Sequence, residues 1–157
     1  MINLIFDIDD TLIIHPKGGS LDYKKISVNH RFNYLLDFFK YPKFIYTNAT
    51  YGHADIVLNN LNNKNKFKKI FARDTILYTK PDIKSFIYVN NIINNNNDKI
   101  NIFFDDMLDN LYTAKRLNWI TIWISPKAYN YQYNFVDYYF KDINDAMEKL
   151  EYIIQQI

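Results

Sequence analysis

The stretch Leu4-Ile-Phe-Asp-Ile-Asp-Asp-Thr-Leu12 decides the fold of this chain. A short apolar run, Ile2–Phe6, ends in a turn that contains three aspartates: Asp7, Asp9 and Asp10. A run of this length bounded by turn-forming residues is typical of a buried strand. The aspartates therefore lie where the first strand ends, and taken alone they could also be no more than a strand-ending turn.

Strand-like and helix-like segments alternate through the rest of the chain. Apolar runs predict further strands at residues 44–46, 69–72, 76–78, 100–104 and 119–124. Helical spacing of apolar residues predicts helices at 28–39, 53–61, 83–93, 108–117 and 142–157. Strands that are apolar on both sides and separated by helices indicate a parallel sheet covered on both faces. We therefore predict a three-layer α/β/α, Rossmann-like fold in one domain over residues 1–157.

Composition excludes several classes of protein. With 157 residues, of which 48% are hydrophobic, the chain can form one core, and its net charge of +2 excludes a chain-wide attraction to nucleic acid. The absence of cysteine excludes thiolate chemistry and sulfur-ligated metals, and three glycines are too few for a Walker loop or a dinucleotide fingerprint. No apolar run approaches the roughly 20 residues that a membrane span needs. We therefore expect a soluble, cytoplasmic protein without membrane contact.

Polar side chains follow the other predicted strands or precede the helices that come after them. Thr47 and Asn48 follow the second strand, and Lys80 stands before the middle helix. Asp105 and Asp106 follow the strand at residues 100–104. In parallel α/β sheets, ligands bind beyond the carboxyl ends of the strands. We therefore expect these side chains to gather with the first aspartates at one edge of the sheet.

These segments, in this order, resemble the four motifs of the haloacid dehalogenase (HAD) superfamily. The opening stretch is similar to its first motif, an apolar strand followed by Asp-x-Asp-x-Thr. Phe44-Ile-Tyr-Thr-Asn48 is similar to the second, and Lys80-Pro81-Asp82 to the third. Ile102-Phe-Phe-Asp-Asp106, with Asn110 four residues later, is similar to the fourth. The resemblance covers nearly the whole chain and implies a HAD-type phosphatase.

The predicted cleft holds more carboxylates than it can keep charged without a cation. Asp7, Asp9, Asp105 and Asp106 would repel one another strongly at a low effective dielectric. An all-oxygen ligand set favours Mg²⁺ over Zn²⁺. The resemblance implies that Mg²⁺ takes the Asp7 carboxylate, the Asp9 backbone carbonyl and one of the last two aspartates. We expect Asp106 as the direct ligand and Asp105 as its neighbour, and the sequence leaves the choice between them open.

The same residue types predict phosphoryl transfer. A carboxylate shielded by Mg²⁺ can attack a phosphoryl group in line, which makes Asp7 the nucleophile of an aspartyl-phosphate intermediate. Asp9 can protonate the leaving oxygen and then take a proton from water. Thr47, Asn48 and Lys80 are expected to bind the phosphoryl oxygens. HAD members that cleave carbon–halogen bonds lack the second aspartate of the first motif, and this chain has it.

Several residues have a structural interpretation beside the functional one. Thr11 could support the first aspartate or simply cap a turn, and Lys80 could be a solvated loop lysine. Asn110 is expected to brace the loop after the fourth motif. The histidines are isolated in sequence, which favours surface or packing positions over metal ligation: His15, His30 and His53.

Substrate choice in this superfamily usually rests on cap inserts between the motifs. Residues 12–43 and 49–79 each span about 30 residues and must also hold core elements, so neither leaves room for a cap domain. We therefore expect a capless member. The wording of the second and fourth motifs is most similar to the pyrimidine 5′-nucleotidase branch, whose members carry a helical cap that this chain lacks.

Three functions remain open. The first is a Mg²⁺-dependent phosphatase acting on a small phosphorylated metabolite or nucleotide. The second is a phosphatase acting on nucleic-acid ends or phosphoproteins, and the third is an inactive HAD-fold binding protein. An open site would be covered by another subunit, as in a homo-oligomer, or by a macromolecular substrate. The aromatic stretch at residues 129–139 could serve such a surface, or pack as a strand and loop on the sheet edge.

Overall fold

Six parallel strands form one sheet in the computed structural model, which describes residues 1–130 and 132–157. The spatial order of the strands is β3-β2-β1-β4-β5-β6, so that β1 lies between β2 and β4. The strand bounds are β1 Ile2–Phe6, β2 Lys43–Tyr46, β3 Lys69–Phe71, β4 Ile100–Asp105, β5 Ile120–Ile124 and β6 Tyr138–Phe140. Because all pairs are parallel, every strand ends at the same edge of the sheet.

Helices connect the strands and begin at polar capping residues. Their bounds are α1 His30–Phe38, α2 Tyr51–Asn60, α3 Ile83–Asn94, α4 Leu108–Arg116, α5 Ile143–Glu148 and α6 Leu150–Gln155. The side chains of Asn29, Thr50 and Asp82 each accept a backbone N–H from the first turn of α1, α2 and α3. Such caps replace hydrogen bonds that a helix start otherwise lacks.

The helices cover both faces of the sheet. Leu4 and Phe6 pack with α1, α2, α5 and α6, whereas Ile5 packs with α3 and α4. This follows from strand geometry, since successive side chains point to opposite faces. The predicted α/β/α fold with a parallel sheet is therefore confirmed.

Two predicted elements differ from the structure. Residues 76–78 form a bend instead of a strand, because Thr75 folds the chain back onto Ala72 through its backbone and its hydroxyl. Leu77 in this bend is 84% exposed. The single helix predicted at 142–157 is two short helices that meet at Lys149, whose N–H is shared between two carbonyls.

The aromatic stretch at residues 129–139 lies at the β6 edge of the sheet, and its Tyr131 falls outside the described residues. Phe135, Val136 and Tyr139 pack against the core on the α3 and α4 side, whereas Tyr129 is exposed. Four of the five described aromatic side chains in this stretch therefore pack on the sheet edge. Within residues 1–130 and 132–157, every helix is too short or too polar to cross a lipid bilayer.

Candidate active site

Asp7 follows β1 in the middle of the sheet. Its backbone N–H donates to the carbonyl of Phe104 at 3.0 Å, which holds it level with the end of β4. After Asp7 the chain coils tightly, because the Ile8 carbonyl accepts the N–H of Thr11 at 3.1 Å. This coil brings the Thr11 hydroxyl to 3.4 Å from Asp7 Oδ2. Asp7 is only 7% exposed, so its carboxylate lies at the bottom of a cleft.

Lys80 joins two of the predicted aspartates. Its Nζ lies 3.1 Å from Asp7 Oδ1 and 2.7 Å from Asp105 Oδ2, and it donates to the Tyr46 carbonyl at 2.8 Å. The ammonium also lies 5.0 Å from the ring centroid of Tyr46 and 5.4 Å from that of Phe103. Lys80 is 3% exposed and is therefore a buried, fully engaged cation and not a solvated loop lysine.

Asn48 holds the backbone of Lys80 in place. Its Nδ2 donates to the Lys80 carbonyl at 2.8 Å, and the Lys80 N–H donates to its Oδ1 at 3.0 Å. This pair of bonds flanks the cis peptide between Lys80 and Pro81. The predicted phosphate-binding residue Asn48 thus commits its side chain to Lys80. The neighbouring Thr47 is buried, and its Oγ1 accepts the Ala49 N–H at 3.0 Å, which leaves the hydroxyl proton available for donation.

Asp105 and Asp106 have different environments. Asp105 is fully buried, and its oxygens accept the Met107 N–H at 2.8 Å, the Asn110 amide at 3.1 and 3.2 Å, and the Lys80 ammonium. The Asn110 amide thus ties the first turn of α4 to Asp105 at the end of β4. Asp106 is partly exposed, and one oxygen each from Asp7, Asp105 and Asp106 lie within 4.8 Å of one another.

Asp9 lies beside this cluster and contacts two histidines. Its Oδ1 is 2.6 Å from His15 Nε2 and 2.8 Å from His53 Nε2. The Asp9 side chain is 29% exposed, so it remains open to a ligand in the cleft. Both imidazoles stand at the same sheet edge as Asp7.

No protein-family model and no curated protein matches this chain. Solved structures do match it. A candidate β-phosphoglucomutase from Thermotoga maritima superposes with a TM-score of 0.71 at 12% identity, over 100% of both chains. The candidate HAD-hydrolase YfnB from Bacillus subtilis, bound to magnesium, gives a TM-score of 0.63 at 19% identity. The chain has the HAD fold.

An L-2-haloacid dehalogenase from Xanthobacter autotrophicus, with chloropropionic acid covalently bound, shares this HAD fold with a TM-score of 0.62 at 10% identity. Our chain aligns over 79% of its own length with YfnB and over 82% with the dehalogenase. It spans 53% and 63% of those two proteins, respectively. These neighbours carry different chemistries on one fold, so the activity of this chain must be argued from its own side chains.

Within the HAD fold, the cleft is short of positive charge. Burial raises the pKa of Asp7 well above its ordinary value; Lys80 opposes this shift, and Asp105 and Asp106 add to it. Burial and the Asp105 charge raise the pKa of Asp106 to about 6. Burial would lower the pKa of Lys80, but Asp105 and Asp7 outweigh it and the pKa lies above its ordinary value. When all three carboxylates are ionised, the single ammonium leaves two negative charges uncompensated.

The residues present fit a divalent cation. The converging atoms are carboxylate oxygens within 4.8 Å of one another, which suits a hard ion such as Mg²⁺. The two uncompensated charges of the cleft match the charge of such an ion. Among the described residues, the cleft brings together nearly every predicted site residue: Asp7, Thr11, Lys80, Asp105, Asp106 and Asn110, with Thr47 and Asn48 beside them.

Sequence reasoning missed the two histidines at Asp9. His15 and His53 are far apart in sequence, yet they share one carboxylate oxygen, whereas the exposed His30 lies at the start of α1. One signal could have found His53. It is the third residue of α2, a helix that begins just after the Thr47-Asn48 strand end, so the topology places it at the same edge.

Proposed function

We propose that this protein is a Mg²⁺-dependent phosphomonoesterase that forms an aspartyl-phosphate on Asp7. The observation that carries the proposal is the buried cluster in which Lys80 bridges Asp7 and Asp105 while two negative charges stay uncompensated. A site of this kind favours a divalent cation together with the dianionic phosphoryl group that accompanies it. Aspartate, lysine and hydroxyl groups around one cleft supply a nucleophile and phosphate ligands without any sulfur or cofactor loop.

In the first half of the reaction, an Asp7 oxygen attacks phosphorus as the bond to the leaving oxygen breaks. Protonated Asp9 gives its proton to that leaving oxygen, and the alcohol departs. Lys80, the Thr47 hydroxyl and the backbone N–H of Asn48 stabilise the charge on the phosphoryl oxygens. The Asn48 N–H suits this role because it has no acceptor among the described residues. A bound Mg²⁺ would offset the negative charges of Asp7 and of the phosphoryl group.

In the second half, water attacks the phosphorus of the aspartyl-phosphate while Asp9 takes a proton from that water. The bond between phosphorus and the Asp7 oxygen breaks, which restores the carboxylate and releases inorganic phosphate. One side chain thus acts as acid and then as base, so no further proton donor is required.

Asp106 is the better candidate for the direct metal ligand of the fourth motif. All hydrogen-bonding capacity of Asp105 is directed at Lys80, Asn110 and the Met107 N–H. A carboxylate that is saturated with donors is a poor metal ligand. Asp106, by contrast, has a pKa that burial and the Asp105 charge raise to about 6, so a nearby cation would stabilise its ionised form. We propose Asp7, Asp106 and the Asp9 carbonyl as ligands, with Asp105 orienting Lys80.

Phosphoryl transfer is favoured over dehalogenation by Asp9. A carbon–halogen bond breaks to a halide that requires no proton, so an acid at this position would have no task. Here Asp9 is held by two imidazoles beside the nucleophile. We therefore assign the phosphatase chemistry to this chain.

The substrate class we favour is a small phosphorylated metabolite or nucleotide, processed inside the cell by one capless domain. Between β1 and α1 the described chain carries a single short 3-10 turn, Tyr23–Lys25, which supports a site without a cap. A second candidate substrate is a macromolecular phosphate, which would itself cover the open site. A second subunit could also provide this cover. Three exposed apolar residues follow β1, β3 and β4 at the site edge, and they could contact such a cover: Ile14, Leu77 and Met107.

The experiment that tests the proposal is a phosphate-ester panel assayed with and without Mg²⁺, combined with acid quenching to trap the phosphoenzyme. We expect Mg²⁺-dependent release of phosphate and one phosphorylated peptide that contains Asp7. Asp7→Asn serves as the control and is expected to give neither. Equal inertness of wild type and variant across the panel would favour the non-catalytic binding protein.

A second comparison separates the substrate classes. Nucleoside monophosphates and end-phosphorylated oligonucleotides are offered to the wild-type protein at low and high salt. Turnover of the mononucleotides without strong salt dependence is expected for the small-molecule enzyme. Salt-sensitive turnover of the oligonucleotide would favour the macromolecular substrate, because phosphate-backbone contacts release counterions.

A further inference from the structure

The Asp9 carboxylate lies at the end of a hydrogen-bonded chain of side chains. The other members of that chain have no role in the proposed reaction steps. Asp9 Oδ1 lies 2.6 Å from His15 Nε2 and 2.8 Å from His53 Nε2. The other ring nitrogen of His53, Nδ1, lies 2.7 Å from the Tyr23 hydroxyl. Asp9, His15 and His53 also line one surface groove of about 480 Å³.

The partners of His53 determine which of its nitrogens carries the proton. In the described part of the chain, the Tyr23 hydroxyl has no acceptor other than His53 Nδ1. An ionised Asp9 carboxylate can only accept, so a neutral His53 carries its proton on Nε2, and its Nδ1 then accepts the proton of the Tyr23 hydroxyl. Nε2 in turn donates to Asp9. The order Tyr23–His53–Asp9 thus runs in one direction, with each group donating to the next.

The backbone around each member fixes its position. The Thr50 hydroxyl caps α2 by accepting the His53 N–H at 3.2 Å. The Asn60 amide, at the far end of α2, donates to the Tyr23 carbonyl at 3.0 Å and ties the 3-10 turn to that helix. These bonds hold Tyr23 and His53 against each other, with ring centroids 5.6 Å apart.

His15 is fixed separately, through Asp10. Asp10 has a φ of 58°, a left-handed conformation that aspartate tolerates better than most residues. Its Oδ1 accepts the His15 N–H at 2.9 Å, so the chain turns back and the imidazole returns to Asp9. This turn gives the second aspartate of the Asp9-Asp10 pair a function that the motif alone does not predict.

We propose that His53, Tyr23 and His15 are positioning residues that fix Asp9 as the acid and base of the reaction. Oδ1 is engaged by two imidazoles, whereas Oδ2 has no partner among the described residues. The proton that Asp9 gives to the leaving oxygen is therefore carried on Oδ2, which points away from the imidazoles. This inference rests on the proposed function, because it assigns a task within that reaction.

A comparison of two esters tests this role. An alkyl phosphate needs a proton on its leaving oxygen, whereas dinitrophenyl phosphate releases a stable anion without one. We expect His53→Ala to lower kcat/KM for the alkyl phosphate by about 10–100-fold and for the dinitrophenyl ester by less than about 3-fold. The ratio kcat/KM reports the steps up to departure of the leaving group, so later hydrolysis of the aspartyl-phosphate does not blur the comparison.

Tyr23→Phe is the gentler variant and guards against misfolding of His53→Ala. It keeps the ring contact and removes one hydroxyl, and we expect a smaller loss in the same direction. His30→Ala and Tyr34→Phe are matched controls on α1; both residues are exposed and neither is hydrogen-bonded to Asp9, so they should leave both esters unaffected. Equal losses on the two esters in His53→Ala and Tyr23→Phe would overturn the proposal.

A second readout does not depend on activity. Nitrogen NMR of the imidazoles at a pH above the ordinary histidine range should show His53 protonated at Nε2, with Nδ1 as a hydrogen-bond acceptor. Tyr23→Phe should shift the His53 Nδ1 signal and leave that of His30 unchanged. If the wild-type protein hydrolysed neither ester, the proposed function would be contradicted. The spectra would still show whether the hydrogen bonds from Tyr23 to His53 and from His53 to Asp9 form. A proton found on Nδ1 would overturn the inference whatever the activity.

Discussion

Two buried polar clusters occupy opposite ends of the same pair of strands. At the amino ends, Asn3 of β1 lies in register with Asn101 of β4, and its Nδ2 donates to Asn101 Oδ1 at 2.9 Å. Asn101 in turn donates to Asn90 Oδ1 at 3.0 Å, which also accepts the Trp119 indole at 2.9 Å. We call this group, completed by Asn94, the amide cluster.

At the carboxyl ends, on the same face of the sheet, the same strands continue to Asp7 and Asp105. With Lys80 and Asp106 these residues form the carboxylate cluster. The amide cluster is neutral, and Asn3 Oδ1 is its one buried oxygen without a partner in residues 1–130 and 132–157. The carboxylate cluster is charged and unbalanced.

The amide cluster has the properties of a polar group that supports the fold, whereas the carboxylate cluster has those of a group that binds a ligand. Neutral amides that hydrogen-bond with one another cost little to bury. Like charges in a buried cleft destabilise the folded chain, and such an arrangement persists where it serves binding or catalysis. The two clusters should therefore respond oppositely to the addition and removal of charge.

The largest expected effect is that of Asp7→Asn. We expect kcat/KM to fall by at least about 10⁴-fold, because the proposed nucleophile is lost. The same change should raise the free energy of unfolding of the metal-free protein by on the order of 1 kcal/mol, since it removes a buried charge from a repulsive site. Activity assays and urea unfolding measure the two effects. A variant that is both inactive and less stable would contradict the assignment of repulsion to Asp7.

Lys80→Met tests the opposite charge. It leaves the buried carboxylates without their cation, and we expect the free energy of unfolding to fall by about 3–5 kcal/mol. The matched control is Lys66→Met, which breaks the 2.7 Å pair with the exposed Asp37 and should cost less than about 1 kcal/mol. Urea unfolding at neutral pH compares them. Equal losses would mean that the carboxylate cluster is solvated like a surface pair.

The site residues that the sequence predicts well are those whose position follows from topology. Asp7, Lys80 and Asp105 stand directly at strand ends or at a helix start, and a parallel sheet brings those points together whatever the details of packing. The alternation of apolar runs predicts β1 to β5 and α1 to α4 in their correct order. It also predicts a strand at residues 76–78 that does not form, and it leaves β6 as one of two interpretations of residues 129–139. The spacing of the motifs along the sequence therefore follows from the parallel sheet, which brings the strand ends together at one edge.

The environment of Asp9 could not be predicted in the same way. His15 reaches it through a left-handed Asp10, and His53 through the start of a helix that Tyr23 then contacts. These contacts depend on loop conformation, which leaves no periodic pattern in sequence. The error at residues 76–78 has a related origin, because an apolar triplet in an exposed bend has the composition of a strand.

Charge can also be added to the amide cluster. Asn101→Asp keeps the shape of the side chain but buries an unpaired carboxylate facing Asn90, and we expect a loss of about 2–3 kcal/mol at neutral pH. Activity per folded molecule should not change, and Mg²⁺ should stabilise the variant and the wild type equally, so the difference between them should persist. The exposed Asn118→Asp is the control, with an expected change within about 0.5 kcal/mol. A larger Mg²⁺ stabilisation of Asn101→Asp than of the wild type would show that the two ends of the sheet do not differ in the way proposed.

The smallest effect is the pH dependence of the metal-free protein. The pKa of Asp106 rises from 3.8 to about 6 on folding, and that of Asp7 rises in the same direction. Above pH 3.8 the folded chain holds more protons than the unfolded chain, so stability must fall as pH rises from about 4 through about 6. For the partly exposed Asp106, solvent screening reduces the expected fall to about 1–2 kcal/mol.

Mg²⁺ should reverse this slope, because it binds the ionised carboxylates of the folded chain. At a concentration of 100 times its dissociation constant, it should add about 2.7 kcal/mol above pH 6 and little near pH 4. Thermal unfolding across this pH range, with and without Mg²⁺, measures both curves. Asp106→Asn should flatten the metal-free curve, whereas Asn101→Asp should leave the Mg²⁺ increment intact. If the metal-free protein gained stability between pH 4 and 6, the negative charges of Asp7 and Asp106 would be balanced by groups of the chain itself. The site would then not require a cation.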